Sequence, residues 1–185
     1  MKTFLHVFFF VFISIDVFGQ QQSIYDLQAK TLKGKDQAFS SFKGKVLLIT
    51  NIASQCGYTP QLKELQELHK KYHKKGLLVL GFPSNSFRQE PLEGAKIADF
   101  CRLNYGVDFP IFRRSDVKGE NINSVFRYLV KNSPSKKEVS WNFEKFLVDR
   151  EGYYFKRYSS GVKPSGEVMK KDIEKLLGGR VKKAG

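Results

Sequence analysis

Cysteine is nearly absent: the 185 residues hold two, Cys56 and Cys101. A scaffold stapled by several disulfides is thereby excluded, and at most one bridge can form. Histidine is almost as scarce. His6 falls in an apolar N-terminal run, and His69 and His73 are expected on the solvated side of a helix. No Cys/His spacing suits a metal ion and no histidine is placed to activate a cysteine, which argues against a zinc centre and against a Cys–His hydrolase. Acidic residues are outnumbered, 18 Asp and Glu against 32 Lys and Arg, for a formal charge of +14. The excess sits in small scattered clusters such as Lys70-Lys71, Lys74-Lys75, Lys136-Lys137 and Lys170-Lys171. Without a nucleic-acid module beside it, it reads as a solvated basic face rather than a nucleic-acid site.

One apolar run approaches the length of a membrane span but falls short: Leu5 to Ile15, closed by Asp16. With Lys2 ahead of it and Val17-Phe18-Gly19 behind, residues 1–19 read as an export signal cut before Gln20. An uncleaved anchor is the alternative. The expected location is outside the cytoplasm: periplasmic, secreted or in the lumen of the secretory pathway. Residues 20–185 suffice for a single domain with a real core, well supplied by 17 Phe and 8 Tyr. The basic tail 178–185 is expected to fray.

Val46-Leu47-Leu48-Ile49-Thr50 reads as a buried strand. After a turn, Leu62, Leu65, Leu68 and Tyr72 recur at helical spacing, with Thr59 as the expected N-cap and Pro60 as the first helical residue. Leu77 to Phe82 is a second apolar strand, so the unit reads as βαβ with a parallel pair. Ser23 to Lys45 is polar and turn-rich, suiting a short N-terminal hairpin anchored by Tyr25 and Leu27. Helices are expected over Ala95–Tyr105, Asn123–Lys131 and Glu167–Leu177, the last burying Val168, Ile173, Leu176 and Leu177. Phe109 to Phe112 reads as a short strand, and Phe146–Asp149 with Tyr153–Tyr158 as an antiparallel hairpin.

Cys56 falls in the turn between the first of these strands and its helix, where a helix dipole and free backbone N–H groups favour a thiolate. A lone thiol in an exported protein is usually paired or reactive. Gln89, Trp141 and Asn142 are the side chains available to support it, each through an amide or indole N–H. Loops at the carboxyl ends of neighbouring parallel strands meet at the crevice of an open α/β sheet, and both the Cys56 turn and the Gln89 loop lie at such ends.

Three stretches then carry a resemblance: Asn51 to Thr59, Phe82-Pro83-Ser84-Asn85-Ser86-Phe87-Arg88-Gln89-Glu90-Pro91, and Trp141-Asn142-Phe143-Glu144-Lys145-Phe146-Leu147. In order and spacing they resemble the motifs of the glutathione peroxidase family, over roughly residues 23 to 178. The resemblance implies a thioredoxin-like α/β fold: a central mixed sheet of four strands flanked by helices, with an added N-terminal hairpin. It implies a peroxidase in which Cys56 is the peroxidatic residue and Gln89, Trp141 and Asn142 complete a catalytic tetrad, with no metal or cofactor. The Cys101 segment, Phe100 to Pro110, resembles the one that bears the resolving cysteine in thioredoxin-using fungal and bacterial members. Cys101 would then attack the sulfenic acid on Cys56 and a thioredoxin-like protein would reduce the disulfide. A buried, inert cysteine or a permanent Cys56–Cys101 bridge are the alternatives.

In such enzymes the two sulfurs begin too far apart to bond, so the Cys101 helix is expected to unwind partly, between Gly94 and Gly106. A redox relay to a partner protein is the alternative function. The short linker before Trp141 resembles that of monomeric members. Only Arg157 matches the basic residues that bind glutathione in others, so a thioredoxin-like reductant is expected instead. The family loop usually reads Phe-Pro-Cys-Asn-Gln-Phe-Gly. Here Ser84 and Ser86 replace the cysteine and glutamine, and the glycine after Phe87 is deleted. The shortened loop has to deliver Gln89.

Overall fold

The computed structural model describes residues 22–178. The expected signal 1–19 and almost all of the basic tail lie outside them. The chain runs β1 (Gln28–Lys30), β2 (Asp36–Ala38), β3 (Val46–Ile52), α1 (Gln61–Tyr72), β4 (Leu77–Pro83), α2 (Ala95–Tyr105), α3 (Ser124–Asn132), β5 (Lys145–Val148), β6 (Tyr154–Tyr158) and α4 (Glu167–Gly178). β1 and β2 form the N-terminal hairpin, and the main sheet has the order β4-β3-β5-β6. β3 pairs parallel with β4 and antiparallel with β5.

Every residue of β3 and β4 is buried. Because side chains alternate across a strand, β3 supplies two cores at once. Val46, Leu48 and Ile52 meet α1, α2 and α4 on one face. Leu47 and Ile49 meet α3 and the N-terminal segment on the other. There Phe82 stacks on Phe112 at 4.5 Å and meets Phe126 edge-on at 5.5 Å. Helices thus cover both faces, and β3 is central.

Four local readings are corrected. Pro60, not Thr59, is the cap position of α1, and it makes no side-chain cap bond. The Thr59 hydroxyl is turned back into the Cys56 loop, donating to the Ala53 carbonyl at 2.9 Å and accepting from the Cys56 N–H at 3.0 Å. Phe109–Phe112 makes only isolated bridges, Ile111 with Gly81 and Phe112 with Thr31, since Pro110 has no N–H to continue a ladder. In α4 the buried face is Met169, Ile173 and Leu176, and Val168 is exposed. His69 is buried, its Nδ1 accepting from the Val79 N–H on β4 at 3.4 Å. A helical wheel cannot show this, because the strand it faces enters only through the fold.

The β5–β6 hairpin turns at Gly152, whose φ is 89°. A Cβ there would sit 2.3 Å from the Ser23 Oγ and 2.6 Å from the Tyr25 ring. Only glycine satisfies both the backbone and the close approach of the N-terminal segment.

Candidate active site

Three segments converge at the carboxyl end of β3, and Asn51 is the residue that joins two of them. Fully buried, it donates through Nδ2 to the Trp141 carbonyl at 3.0 Å and accepts at Oδ1 from the Glu144 N–H at 3.0 Å. Its own carbonyl accepts from the Phe143 N–H at 2.7 Å. The loop after β4 is attached by the Ser84 N–H to the Ile52 carbonyl at 3.0 Å and by the Gln55 N–H to the Gln89 carbonyl at 2.9 Å. Ser54 Oγ donates to Glu90 Oε1 at 2.8 Å.

Cys56 is a buried free thiol at the head of this turn. The Tyr58 N–H donates to its sulfur at 3.4 Å, a contact that steadies negative charge on sulfur. The shortened loop closes tightly. Asn85 accepts the Arg88 N–H on its carbonyl at 2.8 Å and the Glu90 N–H on its side chain at 3.1 Å, while Arg88 takes a left-handed φ of 58°. Gln89 reaches Asn142: the Asn142 Nδ2 donates to the Gln89 Oε1 at 2.8 Å. Asn142 is fully buried, and its Oδ1 has no hydrogen-bond partner among the described residues. Unpaired buried amide oxygens are rare. Trp141 is 42% exposed and rests against Phe87 with centroids 5.3 Å apart. Tyr58 is exposed as well.

The linker ahead of Trp141 is pinned by Glu144, which accepts at Oε1 from the Ser140 N–H at 2.7 Å and at Oε2 from the Arg157 Nε at 2.6 Å. Arg157 also donates to the Lys137 and Glu138 carbonyls. The residue expected as a glutathione contact is therefore committed inside the protein.

Cys101 is a second buried free thiol, in the same apolar cluster as Cys56. Burial pushes its thiol up to about 12, and the Glu90 carboxylate adds to the shift. Among the described residues no three His, Cys, Asp or Glu side chains converge to hold a metal ion. Sequence reasoning missed Asn51, Ser54, Glu90 and Glu144. Asn51, a polar residue ending an apolar strand, carried the one visible signal.

A parallel β3–β4 pair with α1 between, antiparallel β5 and β6, and a thiol at the turn after β3 define a thioredoxin-like protein. Within that class the chain belongs to the glutathione peroxidase family, whose model, Glutathione peroxidase, matches residues 24–130, and it is a peroxidase. It is 50% identical over 159 residues to the Saccharomyces cerevisiae protein named Glutathione peroxidase-like peroxiredoxin 2, covering 84% of this chain and 97% of that one. It is 45% identical over 164 residues to Hydroperoxy fatty acid reductase gpx1 of Synechocystis, covering 84% and 96%. The crystal structure of T. cruzi GPX1 is similar at a TM-score of 0.70 and 34% identity, covering 85% and 98%.

Proposed function

We propose that the protein is a two-cysteine thiol peroxidase that reduces hydroperoxides to water or alcohols. The Cys56 thiolate attacks one peroxide oxygen and the O–O bond breaks. The sulfur is left as a sulfenic acid, and the departing oxygen takes up a proton as water or alcohol. Amide and indole donors from Gln89, Asn142 and Trp141 meet the charge that develops on oxygen without adding a charge of their own. The observation that carries this reading is the Asn142–Gln89 hydrogen bond at 2.8 Å, which brings two of the three supporting side chains together across the shortened loop.

Cys101 then attacks the sulfenic acid, and a thioredoxin-like dithiol protein reduces the disulfide by exchange. Two facts support that reductant over glutathione: Arg157 is held by Glu144, and a close relative bears the name peroxiredoxin. The permanent-bridge alternative fits less well, because both thiols are free and buried. Export after cleavage before Gln20 and action as a monomer belong to the same proposal; the mass of the mature chain and its sedimentation test them. The exposed Trp141 and Tyr58, with half-buried Phe87 against Trp141, also suit docking of a partner protein, which favours the relay reading second.

Peroxide turnover with thioredoxin and with glutathione, measured in parallel, separates these. Sustained turnover with thioredoxin supports the peroxidase cycle, whereas turnover that stalls until a specific partner thiol is added supports the relay. Cys101→Ser is expected to undergo the first oxidation and then resist thioredoxin; unchanged steady-state turnover in that variant refutes the two-cysteine cycle.

A further inference from the structure

Ser84 and Ser86, which stand in the shortened loop where the family pattern has cysteine and glutamine, are hydrogen-bonded to each other. The Ser84 hydroxyl donates to Ser86 Oγ at 2.9 Å and accepts the Ser86 N–H at 3.2 Å. Ser86 Oγ also accepts the Val117 N–H at 3.2 Å and donates to Asp116 Oδ1 at 3.4 Å. A hydroxyl has one donor and two acceptor sites, and in Ser86 all three are filled.

The partners of Ser86 are themselves fixed. Ser84 is fully buried, and its N–H is held by the Ile52 carbonyl at the end of β3 at 3.0 Å. Val117 is fully buried as well. The segment ahead of it is tied to the end of β4 by the Ser115 N–H, which donates to the Pro83 carbonyl at 3.1 Å. It is tied to the start of α3 by Asn123, whose N–H and Nδ2 both donate to the Asp116 carbonyl at 2.9 Å.

The residues after Ser86 are less secure. Arg88 is left-handed, and an L residue stays so only where its surroundings over-determine it. The far end of the turn is held by the Gln55 N–H on the Gln89 carbonyl at 2.9 Å. Asn85, which closes the turn onto the Arg88 and Glu90 N–H groups, is exposed and lies between Ser84 and Ser86. Its placement therefore depends on those two serines. Three residues beyond Ser86, the Gln89 side chain meets Asn142 at 2.8 Å.

We propose that Ser86 is a positioning residue for Gln89. Anchored by Ser84 and Val117, its hydroxyl fixes the entry of the turn and so sets where the Gln89 amide stands beside Asn142. The role rests on the reading of Gln89 as a supporting group for the chemistry of Cys56. It acts in the first oxidation, which starts from the reduced fold with both thiols free.

The test compares wild type with Ser86→Ala, Ser86→Thr, Gln89→Ala and the Ser86→Ala/Gln89→Ala double variant. The readout is the second-order rate at which hydrogen peroxide removes the alkylatable Cys56 thiol. It is followed by quenched mass spectrometry at a temperature where circular dichroism shows every variant folded. Ser86→Ala is expected to slow this step about 10- to 100-fold through misplacement of Gln89. Ser86→Thr, which keeps the hydroxyl, is expected to recover most of the rate. In the Gln89→Ala background Ser86→Ala is expected to cost less than about twofold more, because residues that act through one group are not additive. An unchanged rate in Ser86→Ala overturns the proposal, even if its Tm falls, since that marks a structural role alone. So does an equal slowing in both backgrounds, or a threonine variant as slow as alanine. Gln89→Ala as fast as wild type instead removes the reading of Gln89, and this role with it.

Discussion

Arg88 shows how one residue can carry a deletion. Its left-handed backbone turns the loop directly after Phe87, beside the deletion, a conformation that costs an L residue about 1–2 kcal/mol. Arg88→Gly is therefore expected to hold or raise the Tm and keep activity. Arg88→Val, β-branched at positive φ, is expected to lower both the Tm and kcat/KM, because the turn that delivers Gln89 to Asn142 no longer closes. Glu144 works through its neighbours: with a side chain 3% exposed against Arg157, it ties down the linker to Trp141. Removing one partner of a buried pair strands the other, so Glu144→Ala is expected to cost about 3–5 kcal/mol in urea denaturation. Its folded fraction should also show reduced kcat/KM, as Trp141 and Asn142 lose their anchor.

Elements differ in how firmly they are held. α1 buries Gln61, Leu62, Leu65, Leu68, His69 and Tyr72, and α3 buries four residues behind an Asn123 cap that accepts from the Phe126 N–H. α2 buries only Ile97 and Cys101, starts at Gly94 without a side-chain cap, and ends at a left-handed Gly106. Few buried contacts mean a low local opening free energy. Amide hydrogen exchange is therefore expected to be faster in α2 than in α1 or α3, and faster again after one equivalent of peroxide; equal protection in all three helices would count against an α2 that unwinds to bring Cys101 to Cys56. The helix itself was legible in the sequence, but its looseness was not. Leu103 looks like a core residue by type, yet it is 76% exposed, because α2 buries the side that carries Ile97 and Cys101 and leaves Leu103 facing away from the core.

For the whole molecule, the buried His69 sets one limit on stability. Burial, then the neighbouring His73, holds its pKa below the ordinary value, with Asp108 pulling the other way. The neutral ring is the one that accepts the Val79 N–H at the edge of the sheet. A group with a depressed histidine pKa is stabilising while neutral, so its contribution is full above about pH 6.5, the unfolded value. It is lost as pH falls from there toward the folded pKa, since the unfolded chain then binds the proton more readily. Urea midpoints measured downward from neutral pH are expected to fall through this window, and to fall less steeply in His69→Gln. The same histidine was expected in solvent, because its helix shows only its own periodicity and not the strand it covers.

Read alone, the sequence determines the parts whose signal is local. Apolar runs make β3 and β4, helical spacing makes α1, and a thiol placed between them marks the turn that the rest surrounds. Three motifs in order name the family. What tertiary structure alone decides is which polar groups meet at that turn. Ser54 finds Glu90 across 36 residues, Gln89 finds Asn142 across 53 and Asn51 finds Trp141 across 90. Periodicity says that a side chain is buried or exposed; it carries no information about a partner brought in by another loop. That is why the delivery of Gln89 through a shortened loop, the capture of Arg157 by Glu144 and the hydrogen bond from Ser54 to Glu90 become visible only once the sheet has gathered its carboxyl ends.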